Sequence, residues 1–172
     1  DFEVAEPRAD ALIESLRSVG YSLQTAIADI IDNSIAAGAF NIWIRFHWSG
    51  KDSLISIVDD GCGMSDAQLS DAMRPGSRSP LEERDPKDLG RFGLGLKTAS
   101  FSQCRKLSVL SRNACNVVAE REWDLDYVAS KKQWRLLKQV TGERERYVDE
   151  LNRMDQGTAV IWHNLDRITG ES

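Results

Sequence analysis

Gly90-Arg91-Phe92-Gly93-Leu94-Gly95-Leu96-Lys97-Thr98-Ala99-Ser100 sets three glycines within six positions, ahead of an apolar segment carrying Lys97 and Thr98. Glycine lets backbone approach another group closely and reach angles that other residues avoid. Backbone amides at a helix start bind anions, so phosphate is the first ligand to test. The dinucleotide fingerprint orders its glycines G-x-G-x-x-G after a strand, whereas these run G-x-x-G-x-G after the polar segment Leu81 to Asp88. Gly90 and Gly95 have the P-loop spacing, but Leu96 intervenes before Lys97-Thr98 and turns the lysine away. Both familiar phosphate loops are excluded. A plain loop ahead of a buried helix accounts for the stretch equally well, so its neighbours decide the matter.

Upstream, residues 8–18 and 22–37 read as helices broken at Val19-Gly20-Tyr21. In the second, Leu23, Ile27, Ile30, Ile31 and Ile35 fall on one side at about 100° per residue. Thr25, Asp29, Asp32, Asn33 and Ala36 gather opposite, with Gln24 and Ser34 breaking the division. A solvated face is the ordinary reading of such a stripe. This one lacks Lys and Glu and carries small alanines, which suits the floor of a site. Gly38 ends the helix.

Asn41 to Trp48 and Leu54 to Val58 read as a β-hairpin joined through Ser49-Gly50-Lys51-Asp52. His47 alternates with apolar neighbours and reads as a strand residue. The second strand runs into Asp59-Asp60-Gly61-Cys62-Gly63-Met64, a tight turn that presents a carboxylate. Ser65 to Gln68 has the form of a capping box, starting a helix to about Arg74. Pro75 to Arg91 is a polar loop, a candidate lid or a plain surface loop. After a helix over 93–102 come strands at Lys106–Ser111, Asn116–Trp123 and Gln133–Lys138, a helix near Arg146–Asn152, and a last strand Thr158–Trp162 introduced by Gly157. This order predicts a two-layer α/β sandwich: a mixed, mostly antiparallel sheet with helices on one face.

The 172 residues fit one domain spanning 1–172, with its lid at about 75–92. A net charge of −5 argues against a broad surface for nucleic-acid phosphates. Lys131, Lys132, Arg135 and Lys138 form a local basic patch or a solvated turn. Cys62, Cys104 and Cys115 follow no metal pattern; they read as reduced cytoplasmic cysteines, two of them in strands. No apolar run approaches the roughly 20 residues of a membrane span. The opening Asp1-Phe2-Glu3 has neither Met nor a signal pattern, as an excised segment would.

Asp29-Ile30-Ile31-Asp32-Asn33, Asp59 through Met64, Gly90 through Lys97 and Gly157-Thr158 stand in an order that resembles the GHKL ATPases, the superfamily of gyrase-type topoisomerases, the ninety-class heat-shock chaperone, histidine kinases and MutL. Asp29 to Ala39 is most similar to MutL, and the lid with Gly90 to Ser100 to MORC-type ATPases. The resemblance covers roughly residues 10–165 and implies the Bergerat-type ATP-binding fold. It implies ATP and Mg²⁺ as ligands, with Asn33 helping to hold the metal. Asp59 would accept the adenine amino group, with Gly61 admitting the base, Gly63 shaping the turn and Met64 packing on the ring. Thr158 would support the adenine end. Gly93, Leu94, Gly95 and Leu96 would offer amides to the phosphates, joined by Lys97, Thr98 and, from the lid, Ser77 and Arg78.

Asp29 takes the place of the family's catalytic glutamate, and Ala36 stands where MutL-like sequences carry an acid. Aspartate is one methylene shorter, which makes binding a safer expectation than turnover. Many relatives take a phosphate-contacting lysine from a following transducer domain, and the expectation is that none follows here. The resemblance also implies ATP-dependent dimerisation or partner contact; DNA-related work follows from analogy alone. A histidine-kinase catalytic domain, or a nucleotide-gated interaction module with little hydrolysis, are the alternatives. The MutL-like helix and late Gly-Thr strand weigh against the kinase.

Overall fold

The computed structural model describes residues 7–18, 20–75, 95–114 and 116–169. Gly90 to Leu94, Cys115 and the lid beyond Pro75, with Ser77 and Arg78, lie outside the described residues. Seven helices and five strands are described: α1 (Ala9–Arg17), α2 (Leu23–Ala36), β1 (Ile42–His47), β2 (Leu54–Asp59), α3 (Asp66–Met73), α4 (Gly95–Gln103), β3 (Lys106–Arg112), β4 (Ala119–Asp124), α5 (Leu125–Lys131), α6 (Arg144–Asn152), β5 (Gly157–His163) and α7 (Asp166–Thr169). The strands form one sheet in the order β1-β2-β5-β3-β4. All of its neighbouring pairs are antiparallel. The predicted two-layer α/β sandwich is the fold.

Strand alternation divides the sheet into two faces. Ile55, Ile57, Leu107, Val109, Val160 and Trp162 point into the main core, which they share with Ile13 of α1, Ile30 of α2, Leu69 of α3 and Phe101 of α4. Full burial of each such side chain contributes about 1.5–3 kcal/mol. The Trp162 indole N–H donates to Ser100 Oγ at 2.8 Å, so the buried ring keeps its one polar atom paired. The reverse face carries a smaller cluster in which Leu54, Val58, Leu110, Ala159 and Ile161 lie under Tyr147 and Leu151 of α6. Helices form the main layer on one face, and α6 adds a cover over part of the other.

The helix starts follow local chemistry. Ser22 Oγ accepts the Thr25 N–H at the head of α2. At α3 the predicted capping box is complete: Ser65 Oγ accepts the Gln68 N–H while Gln68 Oε1 accepts the Ser65 N–H.

Three local expectations are corrected. Gln133 to Lys138 is not a strand; a single bridge pairs Leu137 with Glu122. Its alternating Trp134 and Leu136 pack against the main core without a ladder, so packing alone produced the strand-like pattern. On α2 the buried line is Ala26, Ile30 and Ser34, one turn apart, while Ile35 is 53% exposed. Cys62 is exposed in a turn and Cys104 is buried just past α4, so neither lies in a strand. α5 and α7 were not anticipated.

Candidate functional site

Asp59 is the last residue of β2 and is 5% exposed. Its Oδ2 accepts the Ser34 hydroxyl at 2.8 Å, and its Oδ1 accepts the Gly61 N–H at 2.9 Å. A carboxylate offers about four acceptor positions, so these two bonds fix the group without exhausting it. Burial pushes its pKa above the usual carboxylate range, against the lowering effect of the Ser34 hydroxyl and the Gly61 N–H; neighbouring Asp60 raises it further. Asp60 does different work. It accepts the N–H groups of Phe40 and Asn41 and the Asn41 side-chain amide, all at 2.8 Å. Those bonds pull its pKa down and tie the segment after α2 to the end of β2.

The turn after Asp59 fits closely against its surroundings. A Cβ on Gly61 would lie 2.8 Å from Ala37 Cβ and 3.0 Å from Asp59 Oδ1. Met64 donates its N–H to Ser111 Oγ at 2.8 Å and is partly buried against the main core. Across the sheet, Asp59 on β2 faces Thr158 on β5, and Thr158 faces Ser111 on β3. Ser111 Oγ lies 2.8 Å from Thr158 Oγ1. The Asp59 to Met64 turn and Thr158, some hundred residues apart in sequence, therefore meet at one end of the sheet.

α2 flanks this end through Ser34. Asn33, beside it, is exposed, and Asp29, one turn earlier, is half-buried. Burial pushes the Tyr21 phenol pKa up, and the neighbouring Asp29 carboxylate adds to the effect. The sequence reading missed Ser34 and Ser111. A serine in a helix or strand carries no signal of its own, and only the fold shows what these two touch.

α4 packs beside α2. Leu96 and Thr98 are half-buried on it. Lys97 is 2% exposed, and its ammonium donates to the carbonyls of Ala72 and Arg74 at 2.8 and 2.7 Å. A cation at a helix C-terminus meets both orphan carbonyls and the negative end of the dipole. Lys97→Met is expected to lower stability by about 2 kcal/mol, through carbonyls left unsatisfied. Urea denaturation checks this; a loss below about 0.5 kcal/mol would show those bonds to be dispensable.

A cavity of about 380 Å³ lies elsewhere, lined by Arg112, Asn116, Arg144, Val148 and Asn152 among others. Its arginines are already engaged, Arg112 with the Asn116 and Met154 carbonyls and Arg144 with Glu120. It is not where the predicted residues converge. Among the described residues no group of three or more His, Cys, Asp or Glu is placed to hold a metal, and no helix is long and apolar enough to cross a membrane.

Comparison with known proteins gives the arrangement a context. Residues 21–158 match the model of the family described as "Histidine kinase-, DNA gyrase B-, and HSP90-like ATPase". DNA mismatch repair protein MutL of Rickettsia prowazekii (strain Madrid E) is 28% identical over 110 residues, 63% of this chain and 18% of that protein. MutL of Allorhizobium ampelinum is 38% identical over 92 residues, covering 52% and 14%. MutL of Methanothrix thermoacetophila is 36% identical over 93, covering 51% and 16%. The matched region thus spans less than a fifth of these relatives.

Proposed function

Because the chain belongs to the histidine kinase-, DNA gyrase B- and HSP90-like ATPase family, we propose that it is a Mg-ATP-binding domain whose base end is the Asp59 site. The buried, held and still accepting carboxylate of Asp59 carries this reading. Such a group calls for a ligand that brings a hydrogen-bond donor, and the adenine amino group is one. Gly61 leaves room for a flat base beside the carboxylate, Met64 offers an apolar contact, and Thr158 supplies a hydroxyl one strand away. In this reading the phosphates extend toward α2 and the start of α4, where Gly95 and Leu96 would offer amides and Thr98 a hydroxyl, joined by Gly93 and Leu94, which lie outside the described residues. For Lys97 to reach a phosphate, its bonds to the end of α3 must open.

Asn33 fits magnesium in donor type: its amide oxygen is a hard ligand on the exposed side of α2, and phosphate oxygens and waters complete such a shell. When bound, the ion neutralises charge on the phosphates. In this reading Asp29 orients the attacking water or accepts its proton. Lid closure over bound nucleotide, and the dimerisation or partner contact it drives, complete the reading, with DNA-linked work suggested by the MutL relatives. We place the protein in the cytoplasm.

Calorimetric titration with a non-hydrolysable ATP analogue and Mg²⁺ tests the binding claim. Micromolar affinity is expected, and absence of binding by the folded protein would overturn it. Asp29 also favours a second reading, a nucleotide-gated interaction module, because aspartate is one methylene shorter than the family's glutamate. Asp29→Asn is expected to keep nucleotide affinity within about threefold and to cut phosphate release by about a hundredfold, the scale of general-base catalysis. Measurable release unchanged by the substitution would remove Asp29 from the chemistry, whereas release at background in both proteins would favour the module.

A further inference from the structure

We propose that Ser111 is a positioning residue that determines base specificity, its hydroxyl setting which way the Thr158 hydroxyl points. The inference rests on the nucleotide reading of the Asp59 site. Ser111 is fully buried, and it occupies the third position of the row Asp59, Thr158, Ser111 across β2, β5 and β3. Its oxygen accepts the Met64 N–H at 2.8 Å and lies 2.8 Å from Thr158 Oγ1 and 3.2 Å from the Gly157 carbonyl.

A serine hydroxyl has one proton to give. If that proton goes to the Gly157 carbonyl, Thr158 must donate to Ser111 and shows an acceptor to the ligand. If it goes to Thr158, the threonine proton is released to point at the ligand. Hydroxyl-to-oxygen bonds cluster near 2.7–2.8 Å, so the 2.8 Å contact with Thr158 is favoured over the 3.2 Å contact with Gly157. The Met64 N–H takes one of the two acceptor positions on Ser111 and leaves the serine proton free to go to Thr158. The site then shows a carboxylate acceptor beside a hydroxyl donor. That pair complements an amino group next to a bare ring nitrogen, as on adenine, directly or through a water. Guanine presents the reverse, a carbonyl next to a ring N–H, and sets its carbonyl against Asp59.

The test measures Mg-dependent affinity for non-hydrolysable ATP and GTP analogues in the parent, Ser111→Ala, Thr158→Val and the double variant, with folding checked by circular dichroism. The parent is expected to prefer the adenine nucleotide by at least about a hundredfold, within the roughly 10⁴–10⁵-fold by which a site built to hydrogen-bond can reject an analogue. Ser111→Ala should shrink that ratio at least tenfold, a change of about 1.4 kcal/mol. On the Thr158→Val background, the same serine substitution should change the ratio by less than about twofold, because the two hydroxyls act as one unit. Equal weakening of both nucleotides would reduce Ser111 to a structural support and overturn the proposal. So would independent effects that multiply in the double variant. Should Ser111→Ala fail to fold, Ser111→Cys fills similar space with a weak donor and is expected to lower the ratio likewise. A folded parent that binds neither nucleotide overturns the nucleotide reading itself, and this proposal with it.

Discussion

Asp59→Asn is expected to weaken nucleotide binding by at least about a hundredfold while leaving the free protein as stable as the parent, or more stable, at neutral pH. The binding loss follows from donor and acceptor count. The substituted amide would accept the Gly61 N–H through its oxygen and turn its nitrogen toward Ser34, which can redirect its own proton to the Ile30 carbonyl 3.3 Å away. The local structure survives, but the second acceptor atom becomes a donor facing the ligand amino group. Hydrogen bonds to charged groups contribute about 1.5–3 kcal/mol, and an opposed buried donor costs about as much again. Together these exceed the roughly 2.7 kcal/mol of a hundredfold change.

The stability half of this prediction follows from the raised pKa. Burial is the largest cause, so folding holds the proton on Asp59 more tightly than the unfolded chain does. The folded state is therefore not penalised below the ordinary value of 3.8, and it loses stability as pH rises from there through the folded value. Asparagine does not titrate and escapes this loss. Urea denaturation between pH 4 and 7 should show the variant gaining on the parent as pH rises. Unchanged affinity in Asp59→Asn would dismiss the site, whereas lost affinity with a falling stability curve would mean that the substitution merely damages the fold.

This tension between site and stability explains what could be read in the sequence. The hairpin, the Ser65 cap and the closing strand were legible because each is fixed by neighbours in sequence. Asp59 and Thr158 were legible as motif ends, through the family resemblance. Ser111 was not, because its meaning comes from the register that sets Asp59, Thr158 and Ser111 in one row, nor was Ser34, whose meaning comes from the packing of α2 against the end of β2. The orientation of α2 failed for a related reason. Isoleucine spacing named Ile31 and Ile35 as core, but the bond from Ser34 to Asp59 turns the helix so that a polar residue is buried and Ile35 is not. α5 was missed although its cap is local: Asp124 accepts the N–H groups of Asp126 and Tyr127 directly after β4. A strand running straight into its own helix cap leaves no loop for a sequence reading to find.

The same convergence makes Gly63→Ala the most damaging of the small substitutions. Gly63 has φ +65°, a left-handed conformation that alanine adopts at a cost of about 1 kcal/mol or more. A Cβ there would lie 1.9 Å from the Arg112 carbonyl oxygen and 2.6 Å from its carbon. Those atoms belong to β3, so no side chain can swing aside, and the turn itself must lift from the sheet. Lifting it separates the Met64 N–H from Ser111 and disturbs the Gly61 N–H on Asp59. Backbone strain and overpacking each cost about 1–3 kcal/mol, so a loss of about 3 kcal/mol or more is expected, with nucleotide binding abolished. Gly61→Ala gives the contrast. Its added carbon meets the Ala37 methyl at 2.8 Å and the Ala37 carbonyl and Asp59 carboxylate at 3.0 Å, milder overlaps than 1.9 Å, so binding should fail with a stability loss of only about 1–2 kcal/mol. Urea denaturation of both variants beside the parent decides the matter. A Gly63→Ala protein within about 1 kcal/mol of the parent would show that the turn can leave β3 at little cost. The carboxylate would then owe its position to Ser34 and the Thr158 N–H.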